Sequence, residues 1–436
     1  MDKVRIGIIG LGGMGSNHAG YISRGEIAGA EIVAVADADP ARLEGAKEKF
    51  GEAVQLFEGA DALFAAQCVD AVIVATPHYF HPPLVIQALE NGLHAMSEKP
   101  AGVYTRQVRE MNEAAAKSDR VFGVMFNQRA RGEHQKLKEL VESGELGPIQ
   151  RTIYIINSWF RAQSYYDSGG WRATWEGEGG GVLANQCPHN LDLWQWICGM
   201  PHRVRAFCRF GQYHDIEVED DVTAYVEYDN GATGVFITST GEAPGTNRLE
   251  ISADRGKVVL EGGKITFWRT KESSSKFLRE WPNGFGSPEV WKCEVPAKGG
   301  EEHKGITKNW VQAIRTGSPL LANGTEGING VELSNAMLLS TWTDNWVDIP
   351  VDEECRTRTG PSRGAPNTSK LGIDKDATCH GRAASPAVSP LHRHIITTRG
   401  SKESRGTVAA RCERECCGLS SCRQQPPPRP RAAWPE

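Results

Sequence analysis

Residues Val4 to Gly15 read V-R-I-G-I-I-G-L-G-G-M-G, a short apolar run that meets a tight glycine turn, Gly10-x-Gly12-x-x-Gly15, with a helix-forming segment directly behind it. Such a run is a strand handing over to a helix whose free N–H groups and dipole point at an anion. Gly10 permits the bend, Gly12 lets a pyrophosphate approach the backbone, and Gly15 lets the helix lie close on its strand. Leu11, Gly13 and Met14 complete the loop that would cradle the phosphates. A glycine pattern alone is weak, and its weight depends on what surrounds it.

The surroundings support it. Apolar strands over 31–36, 69–76, 93–98 and 121–126 alternate with helical stretches over 14–23, from Pro40, 83–91 and 105–117. Near-continuous Val/Ile/Ala strands separated by helices predict a parallel sheet covered on both faces. Asp37 ends the second strand, 22 residues beyond Gly15. That is where a dinucleotide fold needs a carboxylate for the adenosine ribose hydroxyls. A carboxylate there repels a 2′-phosphate, and no Arg or Lys adjoins it in sequence, so the expected cofactor is NAD. Residues 1–126 therefore read as a Rossmann domain.

From about residue 127 the texture changes. An amphipathic helix over 133–145 leads into longer, alternating strands over 151–160, 203–210, 221–228, 234–239, 247–253 and 257–261. Asp229-Asn230-Gly231 and Asp254-Arg255-Gly256 are hairpin turns. Helices resume over 303–316 and 326–346. Residues 127–354 thus predict an α+β domain on a large, mainly antiparallel sheet, carrying the substrate site and an open face for a homodimer or homotetramer. The fold class is α/β, a Rossmann domain followed by an α+β domain.

Charge and composition narrow the function. The chain carries a net charge of −5, but residues 355–436 hold 15 Lys+Arg against 6 Asp+Glu, leaving the body near −14. An acidic body argues against nucleic acid as a partner. No apolar run approaches the roughly 18 residues of a membrane span. Met1-Asp2-Lys3-Val4-Arg5 runs charged straight into the first strand, unlike a signal peptide. Cys68, Cys187, Cys198, Cys208 and Cys293 are scattered without metal-like spacing, as in a reducing compartment. A cytoplasmic protein without a metal is expected.

Residues 355–436 contain nine of Leu, Ile, Val and Trp, no Phe, Tyr or Met, and nine of the 23 prolines. Such a segment cannot bury enough apolar surface to fold and reads as disordered. Cys412, Cys416, Cys417 and Cys422 could be read as a metal cluster and Pro426–Pro430 as a polyproline ligand, but neither has a domain to support it. The abrupt onset after Glu354 points instead to out-of-frame or read-through translation. An adjacent reading frame that fails to continue as ordinary helical sequence would refute this.

Two constellations carry chemistry. Ser97-Glu98-Lys99-Pro100 lies at the carboxyl end of the strand over 93–98, where ligands of such sheets bind. A lysine there can hydrogen-bond a substrate hydroxyl and bias its proton toward leaving. The second runs from Gly179 to Asp192, G-G-G-V-L-A-N-Q-C-P-H-N-L-D. Its three glycines let backbone approach a ligand, and Pro188 places the group at the mouth of a helix. Asn185 and His189 are four apart, on one side of any helical turn, and His189 exchanges a proton easily near neutral pH. Asn127 and Arg129, Trp159 and Arg161, Tyr165-Tyr166, and Trp171 and Arg172 supply aromatic faces for the C–H faces of a ring and polar groups for its hydroxyls.

Together the glycine turn, Thr76-Pro77 with His81, Glu98-Lys99-Pro100 and the Gly179-to-Asp192 stretch resemble the Gfo/Idh/MocA family over about residues 3–352. The resemblance implies NAD bound by the turn, Asp37, Thr76, His81, Glu98 and Lys99, and a carbohydrate or cyclitol substrate. It implies Lys99 beside the nicotinamide and His189 as acid–base. The family commonly has Asp where this chain has Asn185, which can orient but not carry charge. The expected activity is hydride transfer between a ring hydroxyl and NAD. The alternatives are a redox-neutral enzyme that recycles a bound NAD, and a non-catalytic NAD- or sugar-sensing protein.

Overall fold

A computed structural model describes residues 2–351, which form two sheets. The reading of residues 355–436 falls outside the described residues. The first sheet grows from Val4–Ile9 (β1), buried except at Arg5. The glycine turn leads to Gly13–Ser23 (α1), then Ala30–Asp37 (β2) and Pro40–Phe50 (α2). Asp39 caps α2, its carboxylate accepting from the Ala41 N–H at 2.9 Å, with Pro40 in the first turn. Gln55–Glu58 (β3) and Ala60–Ala66 (α3) follow, then Ala71–Val74 (β4), His81–Glu90 (α4), His94–Ser97 (β5), Thr105–Ala116 (α5) and Phe122–Val124 (β6). The order is β3-β2-β1-β4-β5-β6, parallel throughout, and its direction reverses between β1 and β4. Ligands of such a sheet bind outside the carboxyl ends at that reversal.

Gly132–Glu142 (α6) leads into the second sheet, which starts at Ile149–Ile156 (β7). The expected strand to residue 160 stops at Ile156, after which Asn157 is tied to Thr246 by its N–H at 2.9 Å and by its side chain, which accepts the Thr246 N–H at 2.5 Å. Gln163–Asp167 (α7) and Pro188–Cys198 (α8) precede Arg203–Phe210 (β8), Glu219–Glu227 (β9) and Thr233–Ser239 (β10). Asn247–Ala253 (β11), Gly256–Glu261 (β12), Lys264–Thr270 (β13), Ser274–Glu280 (α9) and Val290–Val295 (β14) complete the run. The nine-stranded order, closed by Val347–Asp348 (β15), is β14-β13-β12-β11-β7-β10-β9-β8-β15. Its pairings are antiparallel except β10 on β7, which run parallel.

Two long helices close the described chain. Gly327–Thr343 (α11) is buried along most of its length and puts Leu333, Ala336 and Met337 into the core of the second sheet. Glu302–Thr316 (α10) does the reverse: Ile306, Trp310 and Val311 enter the core of the first sheet. The Val124 N–H donates to the Ala322 carbonyl at 3.2 Å, so the segment behind α10 also lies along β6.

Candidate active site

The glycine turn sits at the carboxyl end of β1. Gly10 has φ +92°, and a side chain at Gly15 would put its Cβ 1.8 Å from the Gly10 carbonyl oxygen, so α1 can start here only with glycine. A Cβ at Gly12 or Gly13 would meet nothing within 4 Å, which leaves an open cradle at the head of α1. The Leu11 N–H donates to Asp37 Oδ2 at 2.6 Å, fixing the carboxylate beside the turn. The Thr76 hydroxyl is buried and has no partner. These residues fit a dinucleotide, for which the head of α1 would hold the pyrophosphate and Asp37 the ribose. Sequence adjacency missed one neighbour: Arg42 Nη1, brought round by the first turn of α2, is 3.3 Å from Asp37 Oδ2. Asp37→Asn keeps an oxygen for the Leu11 N–H and frees Arg42, so the affinity ratio of NADPH to NADH is expected to rise by about ten- to a hundredfold in fluorescence titrations. An unchanged ratio would remove Asp37 from discrimination.

His81 departs from its expected role as a nucleotide contact. Its Nδ1 lies 2.7 Å from the Pro100 carbonyl oxygen and its Nε2 2.7 Å from that of Thr76. Both ring nitrogens are spent tying the Thr76 turn to the Lys99-Pro100 turn, so the side chain braces the site from behind.

Lys99 leaves β5 with Glu98 beneath it. Glu98 is buried, with Oε1 2.6 Å from His18 Nε2 and Oε2 accepting the Lys99 N–H at 3.0 Å. Burial pushes this carboxyl toward neutrality, but the hydrogen bond and charge of His18, with Lys99 and His303, hold it down at about 2. The contact runs on from His18 Nδ1 to the Tyr21 hydroxyl at 2.5 Å and to Thr307 on α10 at 2.7 Å. Lys99 Nζ donates to the Asn185 carbonyl oxygen at 2.8 Å. Burial lowers the Lys99 pKa, against the opposing charges of Glu98 and Glu178.

The glycine stretch folds over a buried carboxylate. The Gly181 and Leu183 N–H groups donate to Glu219 Oε1 at 2.9 and 3.0 Å. Burial pushes the Glu219 carboxyl up to about 7, with those backbone bonds opposing. Pro188 opens α8, so Asn185 lies in the turn before the helix and presents its carbonyl to Lys99. Its side-chain amide reaches Glu178 and, at 3.3 Å, the Tyr165 hydroxyl. His189, in the first turn of α8, is buried edge-on to Phe126, and its Nδ1 has no partner. Burial first, and then the charge of Lys99, pull its pKa well below the usual value.

The residues expected to meet substrate separate into two groups. Trp159, Arg161, Trp171 and Arg172 gather around Tyr165: the Arg161 and Arg172 guanidinium carbons lie 5.1 and 4.7 Å from the Tyr165 ring centre, and Arg172 Nη1 donates to its hydroxyl at 2.9 Å. Arg161 also lies over Trp159 and Arg172 over Trp171, with Trp171 exposed. Asn127 is buried against His303 at 3.2 Å, with its Oδ1 unpartnered. Arg129 is different. It is fully buried, donates to both Asp192 carboxylate oxygens at 2.9 and 2.6 Å, and uses Nη1 on Glu326 and the Leu321 carbonyl. With these donors committed to the protein, Arg129 is part of the frame rather than a hydroxyl contact. His18, Glu178 and His303 were not foreseen. The only local signals were the placement of Glu178 directly before three glycines and the three-residue spacing of His18 and Tyr21.

Comparisons with known proteins bear on this geometry. Residues 4–126 match an oxidoreductase family with an NAD-binding Rossmann fold, and residues 134–259 match the GFO/IDH/MocA C-terminal domain. The chain is 30% identical to the D-glucoside 3-dehydrogenase of Escherichia coli over 249 residues, 53% of this chain and 68% of that protein. It is 30% identical to an inositol 2-dehydrogenase of Corynebacterium glutamicum over 45% of this chain and 55% of that protein, so it spans about half that relative's length. Among solved structures, the WlbA dehydrogenase of Bordetella pertussis, in complex with NADH and UDP-GlcNAcA, superposes with a TM-score of 0.69 at 26% identity, covering 80% of this chain and all of that one. The matched regions on both sheets, together with the likeness over two thirds of a glucoside dehydrogenase, establish that this chain belongs to the Gfo/Idh/MocA family of NAD-binding oxidoreductases.

Proposed function

We propose that the protein oxidises a ring hydroxyl of a sugar, glycoside or cyclic polyol, with Lys99 and His189 handling the proton. The observation that carries this reading is Lys99 Nζ, bonded to the Asn185 carbonyl four residues before a buried His189 whose Nδ1 is unpartnered. Bound NAD supplies the hydride acceptor. Burial favours the neutral form of Lys99, the form in which Nζ can take up a hydroxyl proton, while His189 stays neutral with its Nδ1 open to a hydrogen bond. The ring of aromatic and guanidinium groups around Tyr165 offers stacking faces and donors to a pyranoside or cyclitol. The known relatives that act on glucosides and inositol support the same class. A panel of D-glucose, methyl glucosides and myo-inositol should give stoichiometric NADH with at least one member. Substrate turnover without NADH accumulation would replace net oxidation by a redox-neutral reaction.

The reading extends to assembly and location. Phe207 and Tyr225, 58% and 40% exposed on neighbouring strands β8 and β9, support a homodimer or homotetramer built through the outer face of the nine-stranded sheet. Sedimentation at a monomer mass would refute it. The free cysteines among the described residues, with no helix there long and apolar enough to cross a membrane, support a cytoplasmic site of action.

A further inference from the structure

We propose that Glu178 is the positioning carboxylate of this site, clamping the Asn185 amide and through it holding Lys99 in place. The inference rests on the reading of Lys99 given above. Three bonds form one line: Lys99 Nζ donates to the Asn185 carbonyl, Asn185 Nδ2 donates to Glu178 Oε1, and Glu178 Oε2 accepts the Ala173 N–H at 2.7 Å. Asn185 is therefore gripped at both ends, by the lysine on its backbone and by the carboxylate on its side chain. Being neutral, it can transmit orientation from Glu178 but adds no charge of its own.

The location of Glu178 is costly unless it is used. Its side chain is 2% exposed, directly before the triple glycine, and an ionised carboxylate there must be met by donors and positive charge. Ala173, which supplies one donor, has φ +51°, an uncommon conformation for alanine that the bond from its N–H helps to hold. Burial raises the Glu178 pKa, and the Ala173 N–H, Arg172, Asn185 and Lys99 oppose it. The other carboxylate near Lys99, Glu98, is already committed to His18 and the Lys99 N–H. Glu178 thus supplies the second negative charge that Lys99 faces, from the opposite element of the site.

The charged and titratable groups acting on Lys99 are Glu98 at the end of β5, Glu178 and Cys187 in the glycine stretch, and Arg172 in the loop before it. Lys99 in turn acts on His78, His81 and His189. Removing the Glu178 charge removes one of the two carboxylates that raise the Lys99 pKa, so Lys99 titrates at lower pH and becomes a weaker base. Glu178→Gln retains an oxygen for Ala173 and a similar shape. Moving the charge one residue along the line, in Glu178→Gln with Asn185→Asp, returns an anion beside Lys99.

The test is kinetics against pH on the fastest member of the sugar panel, with Lys99 titrated separately by the pH dependence of its modification by an amine-reactive reagent, mapped by mass spectrometry. E178Q is expected to lower kcat by about ten- to a hundredfold with KM little changed, and to move the acid limb and the Lys99 titration to lower pH. The E178Q/N185D double variant is expected to recover most of kcat and to move both back. If E178Q unfolds early, Glu178→Asp, which keeps the charge one methylene short, should lose kcat without moving the Lys99 titration. Turnover and Lys99 titration unchanged in E178Q, or no recovery in the double variant, would overturn the inference. Lys99→Ala separates the two ideas: an inactive K99A with a normal E178Q rejects only the role of Glu178, whereas an active K99A rejects the reading of Lys99 itself. Should no panel member turn over, the Lys99 titration alone decides.

Discussion

Lys99→Ala is expected to lower turnover by about a hundred- to ten-thousand-fold while NADH still binds, because a positioned acid–base group contributes on that scale. The lysine reaches the site from the end of β5, and its loss leaves the glycine cradle and Asp37 untouched. His189→Ala should give a comparable loss. The pH dependence follows from the direction of the Lys99 shift. A base with a lowered pKa is available above that pKa and lost as pH falls through it, so the acid limb of kcat/KM should lie below the usual lysine range. Steady-state kinetics, with NADH binding followed by fluorescence, check both points. Near wild-type turnover in both variants would remove the pair from the chemistry.

The second large effect is on stability. Arg129 and Asp192 form a bidentate pair at 0% and 1% side-chain exposure, with the guanidinium carbon 5.3 and 5.0 Å from the centres of the Phe126 and Trp196 rings. Breaking a buried pair from one side leaves the other charge uncompensated and costs about 3–5 kcal/mol. Asp192→Asn should therefore unfold at markedly lower urea than the parent. Replacing both partners by apolar residues of similar volume, as in R129M/D192L, should recover most of the loss, since the desolvation of both charges then disappears. If D192N matched the parent in urea, the pair would be a bystander.

The extent to which the sequence revealed this molecule depended on how local each signal was. β1, β8 and β11 have the bounds that their apolar patterns predict, and the glycine turn identified its own ligand class. β3 and α3 escaped notice because Gln55–Glu58 is a short edge strand with no fully buried residue to give it a period. β13 and β14 were missed for a related reason: β14 is largely exposed, and both depend on neighbours rather than on their own composition. The parallel pairing of β10 with β7 brings residues about 80 apart into register, which no local pattern encodes. The site divides the same way. Lys99, Asn185 and His189 lie in compact motifs, whereas the partners that tune them, His18 and Glu178, are 81 and 7 residues from Lys99 and Asn185 respectively and carry no motif. Arg129 misled because an arginine after a strand looks the same in sequence whether it meets a ligand or a buried aspartate; only the fold reveals Asp192 against it.

The return of α10 to the first sheet bears on how the chain is made. Ile306, Trp310 and Val311 belong to the core of the nucleotide-binding layer, which residues before 127 therefore do not complete by themselves. During synthesis, the earliest part of the chain to leave the ribosome therefore remains without its final cover until more than 300 residues have been translated. The nascent nucleotide-binding layer has to wait, with apolar surface exposed, for a helix encoded near the far end of the described chain. A message interrupted before that helix leaves a product that retains its glycine turn but cannot close the layer beneath it.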